Sequence, residues 1–110
     1  MSFEDHVAEV LRAVPRRLRD DVCMLGVWIT AEGAAVIGWN TSRRLQANGT
    51  AWEWNQWRFQ CPDALVVEAA PPLLQVEAVL CAMHRDGRIA AALGHPVGFI
   101  VDGEVTPCSA

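Results

Sequence analysis

The spacing of apolar residues predicts two helical segments, one in each half of the chain. Apolar residues recur at helical spacing from Ser2 to Val14, with Ser2 at the N-cap position and Asp5 where the acid of a capping box belongs. A second helix is expected to start at 71–72, where proline is tolerated in the first turn. It is interrupted at 86–87 and continues over 88–93. Leu73, Val76 and Leu80 share one row of this helix, and Leu74 widens that row into a mostly buried surface.

A nearly apolar run from Val22 to Thr30 predicts a strand buried on both faces, and therefore central in a sheet. Turn-forming residues follow at 31–34, and the segment 35–40 predicts the returning strand of an antiparallel hairpin. Trp28 and Trp39 fall in these two strands, so we expect them to be neighbours across the hairpin.

Further strands are predicted at 64–68, at 97–101 and, after an Asp-Gly turn, at 104–106. An Asn48–Gly49 turn signal leads into an aromatic stretch, 49–61, which we interpret as another strand. The predicted order is α-β-β-β-(β)-α-β-β. It indicates an α+β fold in which an antiparallel sheet of about five strands is packed on one face by two helices. A chain of 110 residues fits a single compact domain, 1–110.

Three of the five tryptophans lie in the aromatic stretch. On a regular strand Trp52 and Trp54 share one face and Trp57 lies on the other, so at least one ring is expected to point away from the helices. An exposed tryptophan beside Glu53 and Arg58 has the composition of a binding hot spot. The predicted partner-binding residues are therefore Trp52, Glu53, Trp54, Trp57 and Arg58. The competing interpretation is that these rings fill the core.

Composition narrows the classes of partner. The net charge is −4, which argues against a nucleic-acid partner. The longest apolar run is too short to cross a membrane, and the N-terminal residues do not resemble a secretory signal. We therefore expect a cytoplasmic protein, of bacterial origin by its composition, whose four cysteines are reduced thiols.

Candidate chemistry is sparse. Cys81 and His84 are spaced i, i+3 on a helix, with His95 and Cys108 as further possible ligands, but zinc prefers two such pairs. Cys23 and Cys81 lie in apolar segments, where a thiol is inert. No phosphate-binding loop is present in the sequence. We expect no metal, no cofactor and no catalytic residue.

These patterns favour a small non-enzymatic domain that binds another protein. Bacterial immunity proteins, inhibitors and secretion chaperones are similar to it in size and net charge alone. Two alternatives stay open at this point. One is a small-molecule pocket or small enzyme in the sheet–helix crevice, using Glu53, His84 and His95 and lined by Trp28 and Trp39. The other is a structural homodimer.

Overall fold

The computed structural model of the chain describes residues 2–43, 65–102 and 104–105. Their helices and strands follow the order α-β-β-β-α-α-β-β, with a short 3₁₀ helix after the first α-helix. The elements are α1 (Phe3–Ala13), the 3₁₀ helix (Arg16–Asp21), β1 (Val22–Ile29), β2 (Ala35–Thr41), β3 (Leu65–Val67), α2 (Leu73–Arg85), α3 (Arg88–Leu93), β4 (Gly98–Val101) and β5 (Glu104–Val105).

The described strands form one mixed sheet in the order β3-β2-β1-β4-β5. The hairpin of β1 and β2 is antiparallel, as predicted, and β3 and β5 also pair antiparallel with their neighbours. β4 pairs with β1 in parallel, with Gly26 opposite Ile100. The prediction of an antiparallel sheet is therefore not confirmed. The chain passes through α2 and α3 before β4, and such a crossover allows a strand to run parallel to the first.

One face of the sheet forms the main core with the helices. α1 contributes Val7, Val10 and Leu11, and α2 and α3 add their own buried apolar residues. Alternate positions of the three central strands meet them, among them Leu25, Val27, Ile37, Trp39, Phe99 and Val101. This is the α+β packing that the sequence predicted.

The other face of the sheet is also buried. Trp28, Val36 and Ile100 are almost fully excluded from solvent, yet they do not belong to the cluster that packs on the helices. β1 is thus central and buried on both faces, as predicted.

The register of the hairpin separates two tryptophans that we expected to be neighbours. Trp28 pairs with Val36, whereas Trp39 pairs with Leu25. Paired residues share a face and successive residues alternate, so Trp39 lies on the helix face and Trp28 on the opposite one. Among the described residues, no helix has the length and apolar character needed to cross a membrane.

Candidate binding surface

The five predicted partner-binding residues lie outside the described residues. Trp52, Glu53, Trp54, Trp57 and Arg58 all belong to the segment 44–64. Their role in binding therefore stays a prediction.

Large apolar side chains are exposed near the connection between β3 and α2, which comprises residues 68–72. Leu74 is 80% exposed, Val66 60% and Leu73 42%. The geometry of the helix explains the exposure of Leu74. α2 buries Val76, Leu80 and Met83, and at 100° per residue Leu74 lies roughly 160° around the helix from Val76. Val66 pairs with Val36 and therefore lies on the sheet face away from the helices. Single exposed apolar residues are ordinary, but two adjacent exposed leucines beside the connection indicate a contact surface.

A pocket of about 260 Å³ lies between the start of α1 and this connection. We call it the connection pocket. Its wall is polar and apolar in equal parts, and its polar side chains come from His6, Gln75 and Ser2. The lining includes Phe3, Val67, Ala69 and Ala70. Its size suits one side chain of a partner better than a drug-sized ligand, for which pockets are usually larger than about 300 Å³.

Acidic residues adjoin the connection pocket. Asp5 and Glu68 are sequence neighbours of residues that line it, and both are exposed. The backbone N–H of Ala70 donates to the carbonyl of Gly33 at 2.8 Å, which holds the β1–β2 turn and its exposed Glu32 beside the connection. Glu4 also adjoins the pocket, but its carboxylate is paired with Arg88. Among the described residues, the carboxylates beside this pocket that make no ion pair are those of Asp5, Glu32 and Glu68.

The first turn of α1 is fixed by a capping box. The backbone N–H of Ser2 donates to Asp5 at 3.0 Å, and the Ser2 hydroxyl accepts from the Asp5 N–H at 3.2 Å. Hydrogen bonding to the carboxyl of Asp5, first by the backbone N–H of Ser2 and then by its side chain, lowers the pKa of that carboxyl. The carboxylate is thus negative at neutral pH, and the wall that α1 gives to the pocket is positioned by local bonds.

A separate cleft of about 510 Å³ lies at the opposite end of the sheet, where β1 and β4 begin and β2 ends. It is lined by Asp20, Cys23, Ser42 and His95, among others. The Nε2 of His95 donates to the Val22 carbonyl at 2.6 Å, which fixes the ring against β1. The cleft brings a thiol, a hydroxyl, an imidazole and a carboxylate together.

This cleft does not have the chemistry of a cysteine nucleophile. Burial raises the pKa of the Cys23 thiol, with the charge of Asp21 acting in the same direction and a hydrogen bond with Ser42 opposing both. The thiol lies 3.7 Å from the Asn40 carbonyl, to which it can donate. A reactive cysteine needs a lowered pKa, and the pKa shift at Cys23 is in the opposite direction.

The prediction that all cysteines are reduced was wrong for Cys81. Cys23 is free, but Cys81 is disulfide-bonded. Its partner is not among the described residues. A disulfide sulfur cannot serve as a thiolate ligand, so Cys81 and His84 do not form a zinc-binding pair. Within the described ranges, no group of three or more His, Cys, Asp or Glu side chains could hold a metal ion.

The residues of the crevice hypothesis are not brought together. His84 packs edge-on against Phe99, with ring centroids 5.9 Å apart, while His95 lines the cleft at the sheet end. Trp28 and Trp39 lie on opposite faces of the sheet. Glu53 is outside the described residues. The described members of that hypothesis therefore occupy three different environments.

Comparison of the chain with protein-family models, with curated proteins and with solved structures found no match. The function is therefore inferred from the exposed surface of the described residues.

Sequence reasoning missed the exposed leucines. Leu73 and Leu74 were assigned to the buried side of the second helix, together with Val76 and Leu80. A signal was present in the sequence, since apolar residues occupy more of the circumference of α2 than a single buried stripe requires. A helix of that kind either is buried all round or presents apolar residues to solvent, and α2 does the second.

Proposed function

We propose that this chain is a small non-enzymatic domain that binds another protein. The observation that carries the proposal is the exposure of Leu74 and Leu73 at the start of α2. Exposed apolar side chains cost nothing to desolvate on binding and contribute about 25 cal/mol for each Å² removed from water. The predicted residues Trp52, Glu53, Trp54, Trp57 and Arg58 belong to the same proposal as further contacts.

The non-enzymatic part of the proposal is supported by the thiol of Cys23, the only free thiol among the described residues. Burial raises the pKa of this thiol, whereas a cysteine nucleophile needs a lowered pKa.

The test is quantitative capture of partners from a lysate of the native host. The wild-type chain is compared with Leu74→Asp and with Trp54→Ala, and the captured partner is then purified and titrated against each variant. A central contact is expected to cost more than about thirtyfold in Kd. Thermal unfolding of each variant shows whether the fold is retained.

Arg85→Ala provides the matched control, because Arg85 is an exposed residue at the other end of the same helix. It should leave the titrated Kd unchanged. If the partner binds the wild type and all three variants equally, neither Leu74 nor Trp54 belongs to the contact surface. A chain that only binds itself, as seen by light scattering over a range of concentrations, would replace the proposal by a homodimer.

The cytoplasmic location belongs to this proposal, and the cysteines provide its test. The cytosol keeps most thiols reduced, whereas Cys81 is disulfide-bonded in the structure. Alkylation of thiols at the moment of lysis, followed by mass spectrometry, measures the state in the cell. A peptide in which Cys81 is alkylated supports the cytoplasm, and one in which Cys81 remains in a disulfide contradicts it.

A further inference from the structure

We propose that the connection pocket receives a basic segment of the partner, with one apolar side chain inserted between flanking arginines or lysines. This inference rests on the proposed protein-binding function and adds the chemistry of the partner. It concerns the start of α1 and residues 67–75, and it does not depend on the tryptophan-rich segment.

The shape of the site supports the insertion of an apolar side chain. The pocket of about 260 Å³ is walled by Phe3, Val67 and the two alanines of the connection. Alanine side chains leave the space that a partner residue would fill. Leu73 and Leu74 extend apolar surface from the next two positions after the connection. A deep apolar anchor surrounded by flatter apolar contacts is the usual anatomy of a hot spot.

The sign of the surrounding charge selects a basic partner. Asp5, Glu32 and Glu68 adjoin the pocket or are held beside it, and all three are exposed. The one arginine that the structure places against this end of α1, Arg88, is already paired with Glu4 and Asp86. Charge complementarity of this kind steers association and excludes acidic partners.

Four of the seven described arginines lie at the other end of the sheet. Arg16, Arg17 and Arg19 are in the 3₁₀ helix that leads into β1, together with Asp20 and Asp21. Arg43 is at that end too, because its N–H donates to Asp21 at 3.2 Å. The arginines at that end outnumber the carboxylates of the 3₁₀ helix, whereas the carboxylates of Asp5, Glu32 and Glu68 adjoin the connection pocket.

The probe is a synthetic seven-residue peptide that alternates arginine with leucine, and its counterpart has glutamate in place of arginine. Each is titrated into ¹⁵N-labelled protein. The arginine peptide should shift the amide resonances of Phe3, His6, Val67, Ala69 and Gln75, and the glutamate peptide should not. The affinity should fall as salt is raised from about 0.05 M to about 0.3 M.

Two matched pairs of variants separate charge from shape. Glu68→Arg should weaken the arginine peptide about tenfold, whereas Glu104→Arg, at an exposed position of the far edge strand, should not. Ala69→Phe should block the pocket and abolish the shifts, whereas Ala91→Phe, at an exposed position of α3, should leave them intact.

Several results would overturn the inference. They are equal binding of both peptides, equal weakening by Glu68→Arg and Glu104→Arg, binding that survives Ala69→Phe, and shifts that map away from the pocket. The same shifts on raising the protein concentration alone would assign the pocket to a second copy of the chain. If the peptide fails but Leu74→Asp or Trp54→Ala still loses the native partner, the protein-binding function stands and this inference alone is rejected.

Discussion

The thiol of Cys23 connects the cleft to the pH dependence of stability. Burial, the first of its perturbing causes, raises the pKa of this thiol above its ordinary value of 9.0. Below that pH the thiol is protonated in both the folded and the unfolded chain. Above it the unfolded chain ionises first and releases a proton, so the free energy of unfolding falls as the pH rises through the folded-state pKa.

We therefore expect urea unfolding to show a loss of stability above pH 9.0 to which Cys23 contributes. The variant Cys23→Ser keeps a hydroxyl donor of similar shape but does not ionise in this range, so its loss should be smaller. If the two proteins lose stability in parallel from neutral to alkaline pH, the thiol has no raised pKa.

The capping box gives a second prediction at the scale of single residues. Removing the Ser2 hydroxyl by Ser2→Ala leaves the Asp5 N–H without its intrahelical cap and should cost about 1 kcal/mol in the free energy of unfolding. Ser2→Asp keeps an acceptor and should retain most of the stability. Equal stability of the alanine variant and the wild type, measured by urea denaturation, would contradict the role of the cap.

The same bonds give Asp5 a pH dependence with the opposite sign to that of Cys23. They lower the pKa of its carboxyl below the ordinary value of 3.8. The stabilisation by the carboxylate is therefore present above that pH and is lost as the pH falls through the folded-state pKa. This acid loss should be smaller in Ser2→Ala, because the hydroxyl bond of the capping box is absent there.

At the scale of elements, α2 contains two leucines with opposite surroundings. Leu80 is fully buried in the core and Leu74 is 80% exposed. Leu80→Ala creates a cavity and should cost about 2–5 kcal/mol, whereas Leu74→Ala should change the stability by less than about 0.5 kcal/mol. Guanidinium unfolding of both variants checks this. Similar losses for the two would mean that Leu74 is buried in the protein as it exists in solution.

The elements that could be predicted from the sequence are those that depend on residues close together in the chain. The cap at Ser2, the hairpin turn at 31–34 and the buried run from Val22 all depend on neighbouring residues, and each was placed within a few residues of its observed position. The parallel pairing of β1 with β4 was beyond such reasoning. It joins Gly26 to Ile100, and a contact that distant leaves no periodic signal in the chain.

The two hairpin tryptophans show how the pairing register decides which face of the sheet a side chain occupies. A shift of one residue moves a side chain to the opposite face. The hairpin was predicted correctly, but which residues pair is decided by the turn, where Gly33 has a positive φ of 81°. Trp39 consequently joins the helix-face core and Trp28 does not. The exposed leucines of α2 escaped prediction for a related reason, since only packing decides which apolar side of a helix is covered.

At the scale of the whole molecule, the two ends of the sheet have different characters. The end at the β1–β2 turn carries the connection pocket, exposed apolar residues and unpaired carboxylates. The end at the start of β1 carries the arginines of the 3₁₀ helix and the cleft with its protonated thiol. A partner approaching in solution meets an oriented charge distribution, which favours one docking orientation before any contact is made.

The disulfide at Cys81 links α2 to a part of the chain outside the described residues, so its effect on stability is a property of the whole molecule. A cross-link reduces the entropy of the unfolded chain, and its removal from a small domain typically costs about 2–4 kcal/mol. Thermal unfolding with and without reductant should therefore differ by on the order of 10 °C in Tm.

The free thiol of Cys23 supplies the control for this experiment. Cys23→Ser should show the same difference between oxidised and reduced protein as the wild type, whereas Cys81→Ser should unfold at the lower temperature in both conditions. If reductant leaves the Tm of the wild type unchanged, the cross-link does not contribute to stability. The close packing of α2 against α1 and β4 would then be sufficient to hold that helix in place.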